Sequence, residues 1–272
     1  MGLRDRGIQI KSPEQIAAMR KAGLLVGETL ELLRGSVRVG MTTRDLDAIA
    51  EEHIRAGGGT PSFLGYHGFP ATICTSVNDE VVHGIPGDRV LAEGDVVSID
   101  CGAIVDGWHG DAAITVALGD VPDEVTELMR VTEEALWRGI AAARLGGRVS
   151  DISHAVESHV RGAGEYGILE DYTGHGIGTE MHQAPNVPNY GRAGRGPKLV
   201  RGLALAVEPM ITLGTKDTVL LDDDWTVVTA DGSMAAHFEH TFTLTTEGAW
   251  VLTALDGGEA RLAELGVPFG GQ

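Results

Sequence analysis

The chain has 272 residues, 43% hydrophobic and 22% charged, with a formal net charge of −18. That length permits a good-sized core in one large domain or two small ones, and the acidic balance argues against general nucleic-acid binding, which relies on Lys and Arg to neutralise phosphates. Cys74 and Cys101 are too few for a disulfide scaffold. The N-terminal stretch MGLRDRGIQIKSPEQ lacks the apolar core of a signal peptide, and no stretch has the roughly 18 apolar residues that span a membrane, so a cytoplasmic location is expected.

Ser12-Pro13-Glu14-Gln15 predicts a helix start: Ser can cap, Pro suits the first helical position, and Gln15 can complete a capping box. Ile16, Met19, Val26, Leu30 and Leu33 follow at helical spacing, with Gly35 as the expected stop. A second helix begins near Thr42 or Thr43, carries Leu46, Ile49, Ala50 and Ile54 on one side, and ends at Gly57-Gly58-Gly59. From Thr60 to Val82 aromatic and β-branched residues predict short strands and loops, closing in the loop His83-Gly84-Ile85-Pro86-Gly87.

Val96 to Val116 reads as two strands joined at Asp106-Gly107, a dipeptide favoured in tight hairpin turns. Counting outward from that turn sets Val105 opposite Trp108 and Gly102 opposite Asp111. Because side chains alternate along a strand, Asp100, Gly102 and Asp111 then share a face. Diagonal neighbours lie about 7–8 Å apart, close enough for the two carboxylates to grip one cation. Left unpaired among apolar neighbours, they would repel and raise each other's pKa. The alternative at this point is a pair of solvated carboxylates on an open sheet face.

A third helix is predicted from about Pro122 to Leu145, and a shorter fourth, capped by Ser150, to about Gly162. A shift of 106 residues aligns Gly40 with Gly146, Asp45 with Asp151, Leu46 with Ile152, Glu51 with Glu157, His53 with His159, Ile54 with Val160 and Arg55 with Arg161. This is an internal repeat of about 100 residues. Two halves, each a pair of helices followed by strands, predict an α+β unit around a shared sheet. The second half should then contribute to the site as the first does.

It offers suitable residues. His175 sits in the glycine cluster Gly174-His175-Gly176-Ile177-Gly178, and His182 follows seven residues later. Leu203 to Val207 reads as a buried strand closed by Glu208-Pro209, and Ala235 to Leu244 alternates so that His237, Glu239 and Thr241 oppose Phe238, Phe242 and Leu244. Two Asp, two Glu and one His suit two divalent cations held by hard oxygens with one nitrogen. A mononuclear zinc site would show more His or Cys.

Six sequence words in this order, Tyr66-His67-Gly68, His83-Gly84-Ile85-Pro86, Asp100-Cys101-Gly102, Gly174-His175-Gly176-Ile177-Gly178, Glu208-Pro209 and Phe238-Glu239-His240-Thr241, resemble the type I methionine aminopeptidases of the M24 peptidases. Each word is weak alone, but together they cover Lys11 to about Trp250. The resemblance implies the duplicated pita-bread fold, with pseudo-twofold halves around a shared antiparallel sheet. It implies one catalytic domain over 1–272, its halves at about 11–120 and 121–250. The implied activity is removal of the initiator Met from nascent proteins when the second residue is small.

The family's metal ligands fall on Asp100, Asp111, His175, Glu208 and Glu239. By resemblance, Asp111 and Glu239 bridge two ions, Asp100 completes one site, and His175 with Glu208 completes the other. The ions are Co, Mn, Fe or Zn, which carboxylate-rich sites accept according to supply. A hydroxide bridging them is the implied nucleophile, attacking the scissile carbonyl, with Glu208 as proton acceptor and shuttle. His182 resembles the histidine that stabilises the tetrahedral intermediate, and His83 the one that hydrogen-bonds substrate near the scissile amide. Tyr66, Phe69, Cys74 and Trp225 match the methionine pocket, with Phe63 and Met181 beside them. Family members often carry Tyr at the place of Phe69 and an aromatic at that of Met181, so the pocket's fine shape is expected to differ from theirs. The short interval between Glu208 and Glu239 lacks the helical insertion of type II enzymes, so the chain resembles the minimal bacterial form. The implied partners are nascent N-termini beginning with Met, acted on by a monomer; a contact with the ribosome surface is a further expectation that no residue here specifies.

His53, His154 and His159 fall on predicted helices and read as surface or packing residues. His109 and His67 each suit a place near the site or a structural one. His237 and His240 flank Glu239, where either can hydrogen-bond a ligand from behind or, for His240, a backbone group. Cys101 faces away from Asp100 as a small buried residue, and the loop Asn189 to Arg201 reads as solvated surface. Two rivals remain: an Xaa-Pro peptidase of the same fold, which usually carries an extra N-terminal domain, and a metal-free binding protein on this scaffold, which would have no need of five ligands.

Overall fold

The computed structural model describes residues 7–271. The predicted cap at Ser12 forms as a full box: Ser12 Oγ accepts the Gln15 N–H while Gln15 Oε1 accepts the Ser12 N–H. It starts helix α1 (Pro13–Ser36), which runs one residue past the expected stop at Gly35. Helix α2 (Thr43–Ala56) begins with the same box built from Thr42 and Asp45. Helices α3 (Asp123–Ala142) and α4 (Val149–Ala163) repeat the pair, and the short α5 (Glu259–Glu264) lies beyond the predicted elements. Ser150 does not cap α4. Arg148 takes the cap position, the carboxylate of Asp151 accepts its N–H, and Ser150 Oγ instead exchanges two hydrogen bonds with the backbone of Arg195. Asp151 thus does for α4 what Asp45, its partner in the repeat, does for α2.

Among the described residues nine strands form one antiparallel sheet: β1 (Thr60–Pro61), β2 (Ile73–Val77), β3 (Val96–Val105), β4 (Trp108–Ala117), β5 (Gly174–Gly176), β6 (Gln183–Val187), β7 (Ala204–Val207), β8 (Glu239–Leu244) and β9 (Ala249–Val251). The central path runs β1-β3-β4-β8-β7-β5-β6, with β2 also on β3 and β9 also on β8. The β3–β4 turn falls at Asp106 and Gly107, both at positive φ (+52° and +79°) as a two-residue I′ turn requires. The register is the counted one, with Val105 opposite Trp108 and Gly102 opposite Asp111.

The duplication is visible in the hydrogen bonding. Gly40 N–H donates to Leu91 O and Leu91 N–H to Met41 O; in the second half Gly146 N–H donates to Leu199 O and Leu199 N–H to Gly147 O. The hairpin β3–β4 of the first half meets β7 and β8 of the second at the β4–β8 junction, so the sheet centre relates the halves. The predicted run Ala235 to Leu244 is split. Ala235–His237 pairs instead with Met210–Thr212 in a separate three-stranded sheet, and Phe238 turns between the two.

Alternation sorts the large sheet into two faces. Ile99, Cys101, Ala112, Ile114, Leu205, Val207 and Phe242 join Leu33, Leu46, Leu136 and Val156 of the four long helices in the main core. Each such aliphatic or aromatic side chain, fully buried, stabilises the fold by roughly 1.5–3 kcal/mol. The opposite face is left to the residues in between, among them Asp100, Asp111 and Glu239. This is the division that places the site.

Candidate metal centre

Two carboxylates come from each half. Asp100 on β3 and Asp111 on β4 sit diagonally across the hairpin, since Gly102 stands opposite Asp111. Glu239 opens β8 opposite Ala113, and Glu208 follows β7 where Val207 pairs with His240. His175 lies mid-way along β5 beside β7, as Gly176 pairs with Leu205. Asn189 Nδ2 donates to Glu208 O at 3.0 Å, anchoring that strand end. Within the loop from Asn189 to Arg201, read as solvated surface, Arg192 to Arg195 are exposed while Asn189 and Leu199 are buried, Leu199 by its hydrogen bonds with Gly146 and Gly147.

Ligand atoms of Asp111, His175 and Glu239 lie within 4.8 Å of one another, and so do those of Glu208, His237 and Glu239. Glu239 is common to both groups. Asp100 belongs to neither, but lines the same cavity of about 290 Å³ with Asp111, His175, Glu208 and Glu239. His175 Nδ1 can only donate to Gly176 O at 3.0 Å, which turns the Nε2 lone pair toward Glu208 Oε1 (3.4 Å) and Asp111 Oδ2 (3.8 Å).

These carboxylates are poorly satisfied. Asp100 Oδ1, Asp111 Oδ1, Glu208 Oε1 and Glu239 Oε1 are buried without a hydrogen-bond partner among the described residues. Burial pushes Asp100 up to about 7. Burial, then the charges of Asp100 and Glu208, hold Asp111 well above the carboxylate range; Glu208 and Glu239 are raised for the same reasons, with burial first. Burial also pushes His175 down to about 3, so its imidazole is a neutral donor. Acceptor-only oxygens cannot satisfy one another, and among the described residues no Lys or Arg lines the cavity. Divalent cations supply the missing charge, and four carboxylates with imidazole fit them.

Besides these ligands and His67, His83 and His182, the lining is aromatic or sulfur-bearing. Phe63, Phe69, Cys74 and Met181, with Tyr66, Ile85 and Trp225 partly buried against them, form a cluster separate from the main core. Gly102 makes room for it: a Cβ there would stand 2.7 Å from Phe63 Cε1. Cys74 lies opposite Asp100 across β2–β3, and burial pushes its thiol up, so it is a packing group and no thiolate. Tyr66 Oη and His182 Nδ1 are 2.9 Å apart, and the His182 ring packs edge-on to His175 with centroids 4.3 Å apart. His83 is held at φ +61°, uncommon outside glycine, with its ring edge-on to Tyr172 and Trp225. Each site residue expected from sequence lines this one cavity.

Among the other histidines, His67 also lines the cavity. His109 is buried and pairs with Ser62 Oγ at 3.0 Å, away from solvent. His240 meets the hydroxyl of Thr253 at 2.8 Å, neither of the two partners expected, a metal ligand or a backbone group. Sequence reasoning gave His237 no definite role, although its place two residues before Glu239 on an alternating run was a readable signal.

The family model for metallopeptidase family M24 matches residues 17–246. A methionine aminopeptidase of Clostridium acetobutylicum is 52% identical over 247 residues, covering 90% of this chain and 98% of that protein. The crystal structure of a methionine aminopeptidase from Thermotoga maritima superposes with a TM-score of 0.89 at 42% identity, covering 91% of this chain and 99% of that one. A prolidase from Pyrococcus furiosus shares the fold at a TM-score of 0.73, but at 23% identity and over 66% of its own length.

Proposed function

Because the chain belongs to the methionine aminopeptidases of metallopeptidase family M24, we propose that it removes the initiator methionine from new polypeptides whose second residue is small. The observation that carries this reading is the set of buried carboxylate oxygens without partners among the described residues, in a cavity of about 290 Å³ that Phe63, Phe69, Cys74, Met181 and Trp225 also line. Asp100, Asp111, His175, Glu208 and Glu239 would hold two divalent cations, which when bound polarise a carbonyl and lower the pKa of water at the site; aminopeptidases are among the classes that use paired ions.

The chain's own residues account for the rest. Phe63, Phe69, Cys74, Met181 and Trp225 take the methionine side chain, with a soft thiol and thioether suited to its sulfur. Glu208 accepts the proton released by the attacking water and returns it to the leaving amine. His182 donates to the oxygen on which charge develops, and His83 holds the scissile amide. The two halves, 11–120 and 121–250, act as one catalytic unit, since each supplies two carboxylates. On this reading the enzyme works in the cytoplasm as a monomer, on chains leaving the ribosome, because that is where N-terminal methionine is presented.

The test is hydrolysis of Met-Ala and Xaa-Pro peptides after chelation and re-addition of Mn, Fe, Co or Zn, with iron handled anaerobically. Methionine release restored by metal is expected. Preferential Xaa-Pro cleavage would favour the other peptidase class, and absence of both metal binding and hydrolysis would favour a binding protein.

A further inference from the structure

The second ligand group contains a side chain that the reading above leaves without a task. His237 is 2% exposed and its Nε2 has no hydrogen-bond partner among the described residues. Buried side-chain nitrogens ordinarily find one. The nearest candidate, Glu239 Oε2, is 3.8 Å away, outside hydrogen-bond range. Glu239 is itself short of partners, since Oε1 is buried and unpaired. His237 Nε2 and the Glu239 carboxylate thus face one another with no hydrogen bond between them, and Glu208 presents a third ligand-type atom within 4.8 Å.

The backbone fixes His237 in this position. Its N–H donates to Thr115 Oγ1 at 3.0 Å, and the same hydroxyl donates back to its carbonyl at 2.7 Å. Met210 pairs with it from the adjoining small sheet. The split at Phe238 gives His237 and Glu239 to different sheets while leaving them side by side. From this arrangement we infer that His237 is a ligand of the metal centre, placing a second imidazole nitrogen beside Glu208 and Glu239. Each of the two three-residue groups then holds one imidazole, His175 in the first and His237 in the second, with Glu239 shared. The inference rests on the reading of this cavity as a metal centre and deepens it. A second nitrogen raises the site's preference for Co²⁺ and Zn²⁺ over Mn²⁺, because imidazole suits later transition metals better than carboxylate does.

Proton NMR of the full-length protein loaded with Co²⁺ tests this, since each imidazole bound to the ion contributes a strongly shifted, exchangeable N–H resonance. With histidine labelled by ¹⁵N, two such resonances are expected, and one after His237→Gln. In calorimetric titration H237Q should lose more Co²⁺ affinity than the roughly 10–100-fold that removing a residue behind a ligand costs, and lose less for Mn²⁺. A single shifted imidazole in the unaltered protein overturns the inference and leaves the metal centre standing; this arm needs no variant to fold. Absence of any Co²⁺ binding overturns the metal-centre reading, and the inference with it.

Discussion

Tyr66 decides which nitrogen of His182 carries the proton. Burial raises the Tyr66 hydroxyl's pKa, as do Glu180 and Asp111, so it stays protonated and donates. Burial, then the neighbouring His67, lowers that of His182, so the ring is neutral and accepts at Nδ1. The proton then sits on Nε2, where a donor to a developing oxyanion needs it. Replacing His182 with Ala should lower kcat about 100-fold, the loss expected for one oxyanion donor, while metal content by atomic absorption stays unchanged. Metal loss would contradict the role. Tyr66→Phe keeps the ring's packing but frees the tautomer, and should lower kcat about 10-fold with KM nearly constant. A rise in KM alone would assign Tyr66 to the methionine pocket and nothing more.

At the scale of elements, the hairpin carrying Asp100 and Asp111 is positioned by the helix behind it. α1 lies so close to β4 that a Cβ on Gly110 would stand 2.8 Å from Gly23 N and 2.9 Å from Ala22 C, backbone atoms that cannot give way alone. Gly110→Ala should therefore destabilise the fold by about 1–3 kcal/mol, the usual cost of overpacking, and weaken metal binding because Asp111 is the next residue. Gly35, also a helix-adjacent glycine in sequence terms, is the control. It is in α1, exposed, with nothing near an added Cβ, so Gly35→Ala should raise stability by up to about 1 kcal/mol through helix propensity. Urea unfolding curves of the two variants separate the effects; equal shifts would mean that α1 does not set the hairpin's position.

For the whole molecule, the site is where two halves bring negative charge together, and that makes stability depend on metal and pH. Burial raises the ligand carboxylates in the folded state, Asp100 to about 7, so between the unfolded value near 4 and that point the folded chain binds more protons than the unfolded one. Their contribution to stability is present at low pH and lost as pH rises. Buried His175 and His237, both pushed down to about 3, act oppositely, but only below the unfolded histidine value of about 6.5. Above that the carboxylates dominate until about pH 8, where burial makes Lys11 shed its proton in the folded state. The chelated protein should therefore melt at progressively lower temperature from pH 6.5 to 8, each kcal/mol being worth about 2–4 °C for a chain of this size. With excess metal the loss should shrink or reverse, since binding demands deprotonated ligands and grows stronger with pH. Scanning calorimetry at matched pH checks both; a flat profile for the chelated protein would show that burial does not raise the carboxylates as described.

Local chemistry was legible in the chain itself. The capping residues Ser12 and Thr42, the Asp106-Gly107 turn and the period-two alternation around Glu239 specify caps, hairpin register and facing directions from neighbours a few residues apart. The repeat disclosed that there were two halves. The convergence of Asp100, Asp111, His175, Glu208 and Glu239 on one cavity depended on strands distant in sequence pairing across the β4–β8 junction, which backbone hydrogen bonding and burial of the helical face impose together. The same long-range pairing split the strand at Phe238, took Ser150 from its cap to the Arg195 backbone, and left His237 without a partner beside Glu239. No local pattern encodes those outcomes, because each turns on which remote group reaches a donor or acceptor first.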